Sequence, residues 1–310
     1  MLIEQSPGAT RALVLDGETL LEAHLARHDD PLPVGLVAPA RLTERQGTRA
    51  TVAIAGSEAL LEPAPVDWRQ GETRLAEVVR SPRSDGARAK QARVVMHPGP
   101  ARAAPTLAER LAGATPVLPH GPDALAAAGW DDVVEEALSG RIGFPGGQLL
   151  LADTPAMLVI DVDGSGDLAR LAEAAARAVA AAIRRHGIGG PVVVDFPSLG
   201  GRSPRAVVDA VLAEALPAPF EKTAMNGFGL VQIIRPRTRL SLIEEARRPG
   251  FAALELLRRA MRITGPVTLS GPPAMVEWLA QRPALTDALA RLTGGRVTLA
   301  DGGTPHVQQG

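Results

Sequence analysis

Ala156-Met-Leu-Val-Ile-Asp161-Val-Asp163-Gly-Ser-Gly and Pro191-Val-Val-Val-Asp195-Phe196 are two apolar runs that each close on aspartate, joined by one amphipathic segment. In that segment Leu168, Leu171, Ala175, Val179 and Ile183 recur at three- and four-residue steps, the period of a helix with one buried stripe. Asp167 is its expected N-cap, and Gly187, Gly189 and Gly190 its exit. The order strand, helix, strand, with a crossover of this length, predicts two parallel strands. As neighbours they would run about 5 Å apart. Asp161 and Asp195 would then share the crevice beyond the strand ends, where open α/β sheets build their sites. Clustered carboxylates are the hard oxygen ligands that hold catalytic magnesium, and Asp163, two residues on, can add a third. An aspartate after an apolar strand can also do no more than cap the next helix, and the doublet weighs against that simpler role. Asp161-Val-Asp163-Gly has the start of a calcium loop, but position twelve falls on Ala172, where a bidentate glutamate belongs.

Composition sets the outer bounds. At 310 residues and 45% hydrophobic content the chain can bury one large or several small cores, so more than one domain is expected. A net charge of −1 excludes the bulk basicity of many nucleic-acid binders and leaves local patches to do that work. The opening Met1-Leu-Ile-Glu-Gln-Ser-Pro has neither the basic region nor the apolar core of a signal peptide, and Glu173 and Arg177 interrupt the alanine-rich stretch at 171–183. A cytoplasmic protein with no membrane segment is the expectation. With zero cysteines there are no disulfides and no thiolate metal sites.

The first third of the chain reads as β-rich, with alternating runs at 11–15, 35–42, 49–55, 75–80 and 88–95 punctuated by proline and glycine. Such short strands suit an OB-like barrel. A Pro/Ala-rich joint at 98–105 leads to a helical segment around 124–138, and after residue 141 strands and helices alternate. A last small α/β unit begins near Phe251, with helix positions Leu254, Leu257 and Met261, a strand at 266–269 and helices around 274–280 and 285–292.

Lys90 and Lys222 are the only lysines, so arginine, the better fork for phosphate, carries the positive charge. Three groups could line a track for a phosphate backbone: Arg80, Arg83, Arg88, Lys90 and Arg93; Arg202 and Arg205; and Arg235, Arg237 and Arg239. Each alone reads more readily as a solvated surface residue. As sets near the aspartates, Arg202, Arg205, Arg235 and Arg237 are the strongest. Aromatics make up only 3% of the chain, and although Phe196 and Phe228 could stack a base, core packing is the expected role of each. The six histidines show no metal-ligand spacing, and neither a nucleophile elbow nor a phosphate-binding glycine loop appears. Hydrolysis by a metal-activated water remains as the expected chemistry.

These residues resemble the ribonuclease E/G family. Phe144-Pro-Gly-Gly147 through Asp161-Val-Asp163 is similar to its proline-glycine-glycine turn followed by an Ala-Ile-Asp-x-Asn strand end. Gly189-Gly190-Pro-Val-Val-Val-Asp195-Phe196 is similar to its Gly-Gly-x-Ile-Val-Ile-Asp-Phe motif, with Arg205-Ala206-Val207 following. Gly227-Phe228-Gly229-Leu230 and Arg235-Pro-Arg237 match its Phe-Gly-Leu and Arg-x-Arg elements. The likeness extends outward to an opening hairpin at Met1 to Gly17, barrel strands around Gln70 to Val95 and a Thr304-Pro-His ending. It implies an α+β, α/β multidomain fold: an RNase H-like subdomain at 1–33 and 101–140, an OB-fold RNA-binding barrel at 34–100, a DNase I-like catalytic subdomain at 141–249 and a small C-terminal domain at 250–310. It assigns magnesium to Asp161 and Asp195, with Asp163 where the family has a metal-site asparagine. RNA contacts then fall to Arg88, Lys90, Arg202, Arg205, Phe228, Arg235 and Arg237.

The implied function is a magnesium-dependent endoribonuclease that cleaves single-stranded RNA into products with 5′-phosphate and 3′-hydroxyl ends, in RNA processing and degradation. The alternative is a non-catalytic RNA-binding relative. Departures from the family's pattern are specific. Its zinc-linked dimer needs a Cys-x-x-Cys that this chain lacks, so zinc is not expected, and monomer and weak dimer both stay open. Residues 101–140 are too few for its separate sensor of 5′-monophosphate ends together with the remainder of the RNase H-like subdomain. Arg49–Ala55 and Ser57–Leu61 hold none of the barrel's base-stacking phenylalanines, and Ser198 replaces a further aspartate after the Asp-Phe pair.

Overall fold

The computed structural model describes residues 1–84 and 89–310. The chain opens with strands β1 (Leu2–Ser6), β2 (Ala9–Asp16) and β3 (Thr19–Arg27). There follow β4 (Val37–Gln46), β5 (Arg49–Ile54), β6 (Ser57–Leu61), β7 (Thr73–Arg80), the two-residue β8 (Arg83–Ser84) and β9 (Ala89–Lys90), and β10 (Ala92–Met96). Next come α1 (Leu107–Arg110), β11 (Thr115–Val117), α2 (Ala124–Ala127) and α3 (Trp130–Ser139). The central segment is β12 (Arg141–Phe144), β13 (Gly147–Asp153), β14 (Leu158–Gly164), α4 (Leu168–Arg185), β15 (Gly190–Asp195), α5 (Arg202–Ala215), β16 (Glu221–Lys222) and β17 (Leu230–Arg235). The end of the chain holds α6 (Leu242–Ala246), α7 (Phe251–Ala260), β18 (Gly265–Gly271), α8 (Pro273–Ala280), α9 (Pro283–Thr293), β19 (Gly294–Asp301) and β20 (His306–Gln309).

Two compact units result, one of residues 1–29, 111–139 and 242–310, the other of 30–110 and 140–241. The second unit contains a closed barrel of order β10-β6-β5-β4-β7, in which β6 and β10 form the parallel pair. That is the strand order of an OB-like barrel. Period-two alternation turns Leu42, Val52, Ile54, Leu61, Val78 and Val94 inward around Trp68, whose indole N–H donates to the Glu72 carbonyl at 3.1 Å. The unit also holds a six-stranded sheet of order β12-β13-β14-β15-β17-β16. Ile160, Val162, Val192, Val194, Val231 and Ile233 are its buried side, and Leu171, Ala175, Val179 and Ile183 of α4 are buried as well. α4 packs on β13, β14 and α5. Asp167 caps α4, accepting from the Arg170 N–H at 2.9 Å, as its place before the apolar stripe predicts.

The first unit has a four-stranded sheet, β11-β1-β2-β3, and a three-stranded one, β19-β18-β20. Ala9, Leu254, Leu257, Met261, Leu269 and Leu279 belong to its apolar core. Beside that core lies a buried ionic network. Arg11 Nε donates to Glu255 at 2.9 Å, Trp130 Nε1 to the same carboxylate at 3.0 Å, and Arg258 to Asp123 and Asp131 at 2.7 and 2.8 Å. Arg262 bonds Glu4 and Asp123. Burial pulls the Glu255 carboxyl upward, but Arg11, the Trp130 N–H and Arg258 together hold it below the ordinary carboxylate value. Burial raises Glu4 instead, since Arg262, Arg258 and Arg11 offset only part of the desolvation.

Candidate active site

The decisive geometry is a register. β14 and β15 are the parallel pair at the centre of the six-stranded sheet, and Asp161 stands directly opposite Asp195. On β14 the buried residues are Leu158, Ile160 and Val162, so Asp161 and Asp163 project from the side away from α4. On β15 the same alternation exposes Asp195. The two carboxylates therefore rise from one exposed sheet face on adjacent strands.

Their place differs from the crevice beyond the strand ends that the sequence predicts. Asp195 does end β15, but β14 continues past Asp161 to Gly164. The cause is the β12–β13–β14 meander: Gln148 pairs with Asp163 and Gly147 with Gly164, which extends the ladder beyond Asp161. Gly147 makes this close approach feasible, because a Cβ there would overlap the Asp163 carbonyl oxygen. Asp163 lies on the same face as Asp161 but two strand positions on, about 6.6 Å along the chain. Its carboxylate accepts from Gln148 Nε2 at 2.9 Å. Among the described residues no three His, Asp or Glu side chains converge as a metal-binding group. The structure brings Asp161 and Asp195 together and leaves Asp163 bonded to Gln148.

A turn stands beside Asp195. Its cross-strand partner is Leu230, and Phe196 N–H donates to the Gly229 carbonyl at 3.1 Å. Residues 226–229 form a β-turn closed by Gly229 N–H on the Asn226 carbonyl at 3.3 Å. The Asn226 side-chain oxygen accepts from the N–H groups of Phe228 at 2.9 Å and Leu230 at 3.1 Å. Upstream, Met225 N–H donates to Asp209 of α5, and Lys222 Nζ pairs with the same carboxylate at 2.7 Å. Asn226 and Asp209 are positioning residues that pattern reading passed over, although Asn226-Gly227 is itself a turn signal.

The basic candidates divide. Arg202 is exposed at the start of α5, and Arg205, one turn on, donates to the Gly201 carbonyl at 2.8 Å. Its guanidinium lies 3.5 Å from the position a Cβ on Gly227 would take, so Arg205 and the Phe228 turn adjoin. Phe228 is 80% exposed. Phe196, in contrast, is buried. Arg235 and Arg237 sit at the far end of the sheet: Arg235 pairs with Gly190, five residues from Asp195 and about 16 Å along β15. Arg235 donates to the carbonyls of Pro217 and Ile188, and Arg237 to that of Gly189. These are structural bonds at the strand entry, and they separate both residues from the carboxylate pair. Lys90, exposed on β9, donates to the Pro155 carbonyl at 3.1 Å. Arg88 lies outside the described residues.

Residues 114–238, which include both aspartate strands and the Phe228 turn, match the sequence profile of the Ribonuclease E/G family. This segment of the chain is similar to the ribonuclease E/G family. It is similar to ribonuclease G of Haemophilus influenzae, 32% identical over 127 residues that make up 37% of this chain and 26% of that protein. Ribonuclease G of Escherichia coli K12 is 28% identical over 125 residues, 36% of this chain and 26% of the relative. Salmonella typhimurium ribonuclease G gives the same identity and the same shares. The match spans about a quarter of the length of these curated relatives. The matched segment thus contains the six-stranded sheet that carries the carboxylate pair.

No helix of the described residues is long and apolar enough to cross a membrane.

Proposed function

We propose that the chain is an endoribonuclease acting on single-stranded RNA, with Asp161 and Asp195, assisted by Asp163, holding a magnesium ion. The observation that carries this reading is the direct pairing of Asp161 with Asp195 on one exposed face. Magnesium is commonly held by one or two carboxylates while keeping several waters, and a pair of aspartates open to solvent fits that habit. When bound there, the ion supplies Lewis-acid activation of water and countercharge for a departing 3′-oxygen, giving 5′-phosphate and 3′-hydroxyl ends. The chain's own residues bind and orient. Arg202 and Arg205 on the first turn of α5 hold backbone phosphates, Phe228 meets a base, and Lys90 extends the contact from the barrel side. Gln148 fixes the Asp163 carboxylate, and the Asn226 turn keeps Leu230 and Gly229 against Asp195 and Phe196.

In this reading 34–100 is the OB-fold RNA-binding domain, 141–249 the DNase I-like catalytic subdomain, 1–33 with 101–140 a shortened RNase H-like subdomain, and 250–310 the small domain of the family. Lack of cysteine removes the thiolate zinc link, so a cytoplasmic monomer or weak dimer is the working form. A cleavage assay on unstructured RNA, with and without magnesium, is the test. Magnesium-dependent internal cuts whose products accept ligation at the 5′-phosphate support the proposal. Magnesium-independent RNA binding without any cuts would favour the non-catalytic alternative.

A further inference from the structure

Phe228 is the one aromatic among the large apolar side chains that the described residues expose. An exposed ring forgoes the stabilisation of burial, yet the backbone that presents it is tightly specified. The Asn226 side-chain oxygen binds the N–H of Phe228 itself and that of Leu230, Gly229 N–H closes the turn, and Gly229 presses on the Phe196 carbonyl. Gly229 has φ of 92°, and a Cβ there would overlap that carbonyl oxygen, so glycine is required for the turn to lie this close to Asp195. Met225 and Lys222 tie the approach to Asp209 of α5, whose first turn carries Arg202 and Arg205.

We propose that Phe228 is a stacking post for one nucleobase beside the cleaved bond, and that Asn226 is the positioning residue that holds it there. This rests on the ribonuclease reading above. Nucleic acid is the occupant that the surroundings favour: an exposed π face sits on a turn that adjoins Arg205 of α5 at Gly227 and pairs at Leu230 with Asp195, the nearer member of the carboxylate pair. Stacking tolerates every base but grows with ring area, so the post gives the cut a preference for a purine at one position and no hydrogen-bond code. Phe228 acts in ground-state binding and sets KM, while Asp161 and Asp195 set turnover.

The test is an abasic scan. Short single-stranded RNAs with one cleaved bond carry an abasic nucleotide stepped through the flanking positions. Wild type should lose about tenfold in kcat/KM, through KM, at a single position. Phe228→Leu should erase that dependence and raise KM about tenfold on the unmodified RNA, and Phe228→Trp should restore both. Asn226→Leu should weaken discrimination at the same position alone, while Asn226→Asp, which keeps the acceptor oxygen, should retain it. An identical abasic profile in wild type and Phe228→Leu would overturn the proposal. If wild type cuts no RNA, the nuclease reading fails, and the same scan read by fluorescence anisotropy still decides stacking. One sensitive position supports the post; a flat binding profile refutes it.

Discussion

Replacing Gly229 by alanine should cost far more than the same change at a glycine of like conformation in open space. Gly47, in the β4–β5 hairpin, has φ of 63° with nothing within 4 Å of an added methyl group, so Gly47→Ala isolates the conformational term. A left-handed backbone costs an L-residue about 1–2 kcal/mol, and reduced freedom of the unfolded chain returns about 0.4–1 kcal/mol. The net is about 1 kcal/mol. At Gly229 the methyl also collides with the Phe196 carbonyl oxygen. Relief of such overpacking costs about 1–3 kcal/mol, and moving the strands apart weakens the Phe196 N–H bond by about 1 kcal/mol. Gly229→Ala should therefore destabilise by about 3–5 kcal/mol, roughly 2–4 more than Gly47→Ala. Urea denaturation followed by circular dichroism measures both. The displaced turn should also slow RNA cleavage in Gly229→Ala and spare it in Gly47→Ala. Equal destabilisation by the two variants would refute the close packing assigned to the turn beside Asp195.

Glu255→Gln should cost about 3–5 kcal/mol, because Arg11 and Arg258 are left buried without their shared countercharge; urea midpoints at neutral pH check it. Glu255 and Asp123 are both held below their ordinary values, so the stability they contribute is complete above the ordinary carboxylate range and lost as pH falls through their folded-state values. Denaturation between about pH 6 and 3 should show that loss in wild type and a shallower slope in Glu255→Gln. Arg235→Met should lower stability by about 1–3 kcal/mol, through the orphaned carbonyls of Ile188 and Pro217, with little change in RNA affinity. Arg202→Glu with Arg205→Glu should do the reverse, weakening all single strands alike and reducing the salt slope by about 0.7 for each phosphate no longer neutralised. Substrates with 5′-monophosphate and 5′-hydroxyl ends should be cut at similar rates, and a strong monophosphate preference would show that a sensor of 5′ ends survives.

Local periodicity made much of this layout legible. The α4 stripe and its Asp167 cap, barrel strands β4, β5, β7 and β10 and the helices after Phe251 announced themselves because each buries one face at its own period, whereas the run at 11–15 belongs to β2 of the four-stranded sheet and not to the barrel. Adjacency of Asp161 and Asp195 followed from the crossover helix between two short apolar runs. What pattern could not supply was register with the antiparallel neighbours. The pairing of Gln148 with Asp163, which carries β14 past Asp161, depends on Gly147 lying against the Asp163 carbonyl, an approach between residues distant in sequence. The same holds for Arg235 and Arg237: close to the site in sequence, they fall at the opposite strand end because β17 runs antiparallel to β15. β19 and β20 escaped notice since their outer faces are polar and half exposed. The ionic network around Glu255 is built from residues up to 258 positions apart, and charge in a sequence reads as surface.

The central claim is that Asp161 and Asp195 form one metal site. Manganese, a paramagnetic stand-in for magnesium, titrated into wild type and followed by electron paramagnetic resonance of the free ion, tests it without reliance on activity. Wild type should bind manganese at a site that magnesium displaces, and Asp161→Asn and Asp195→Asn should each abolish that binding while the circular dichroism spectrum is unchanged. Undiminished binding in either variant would contradict the account.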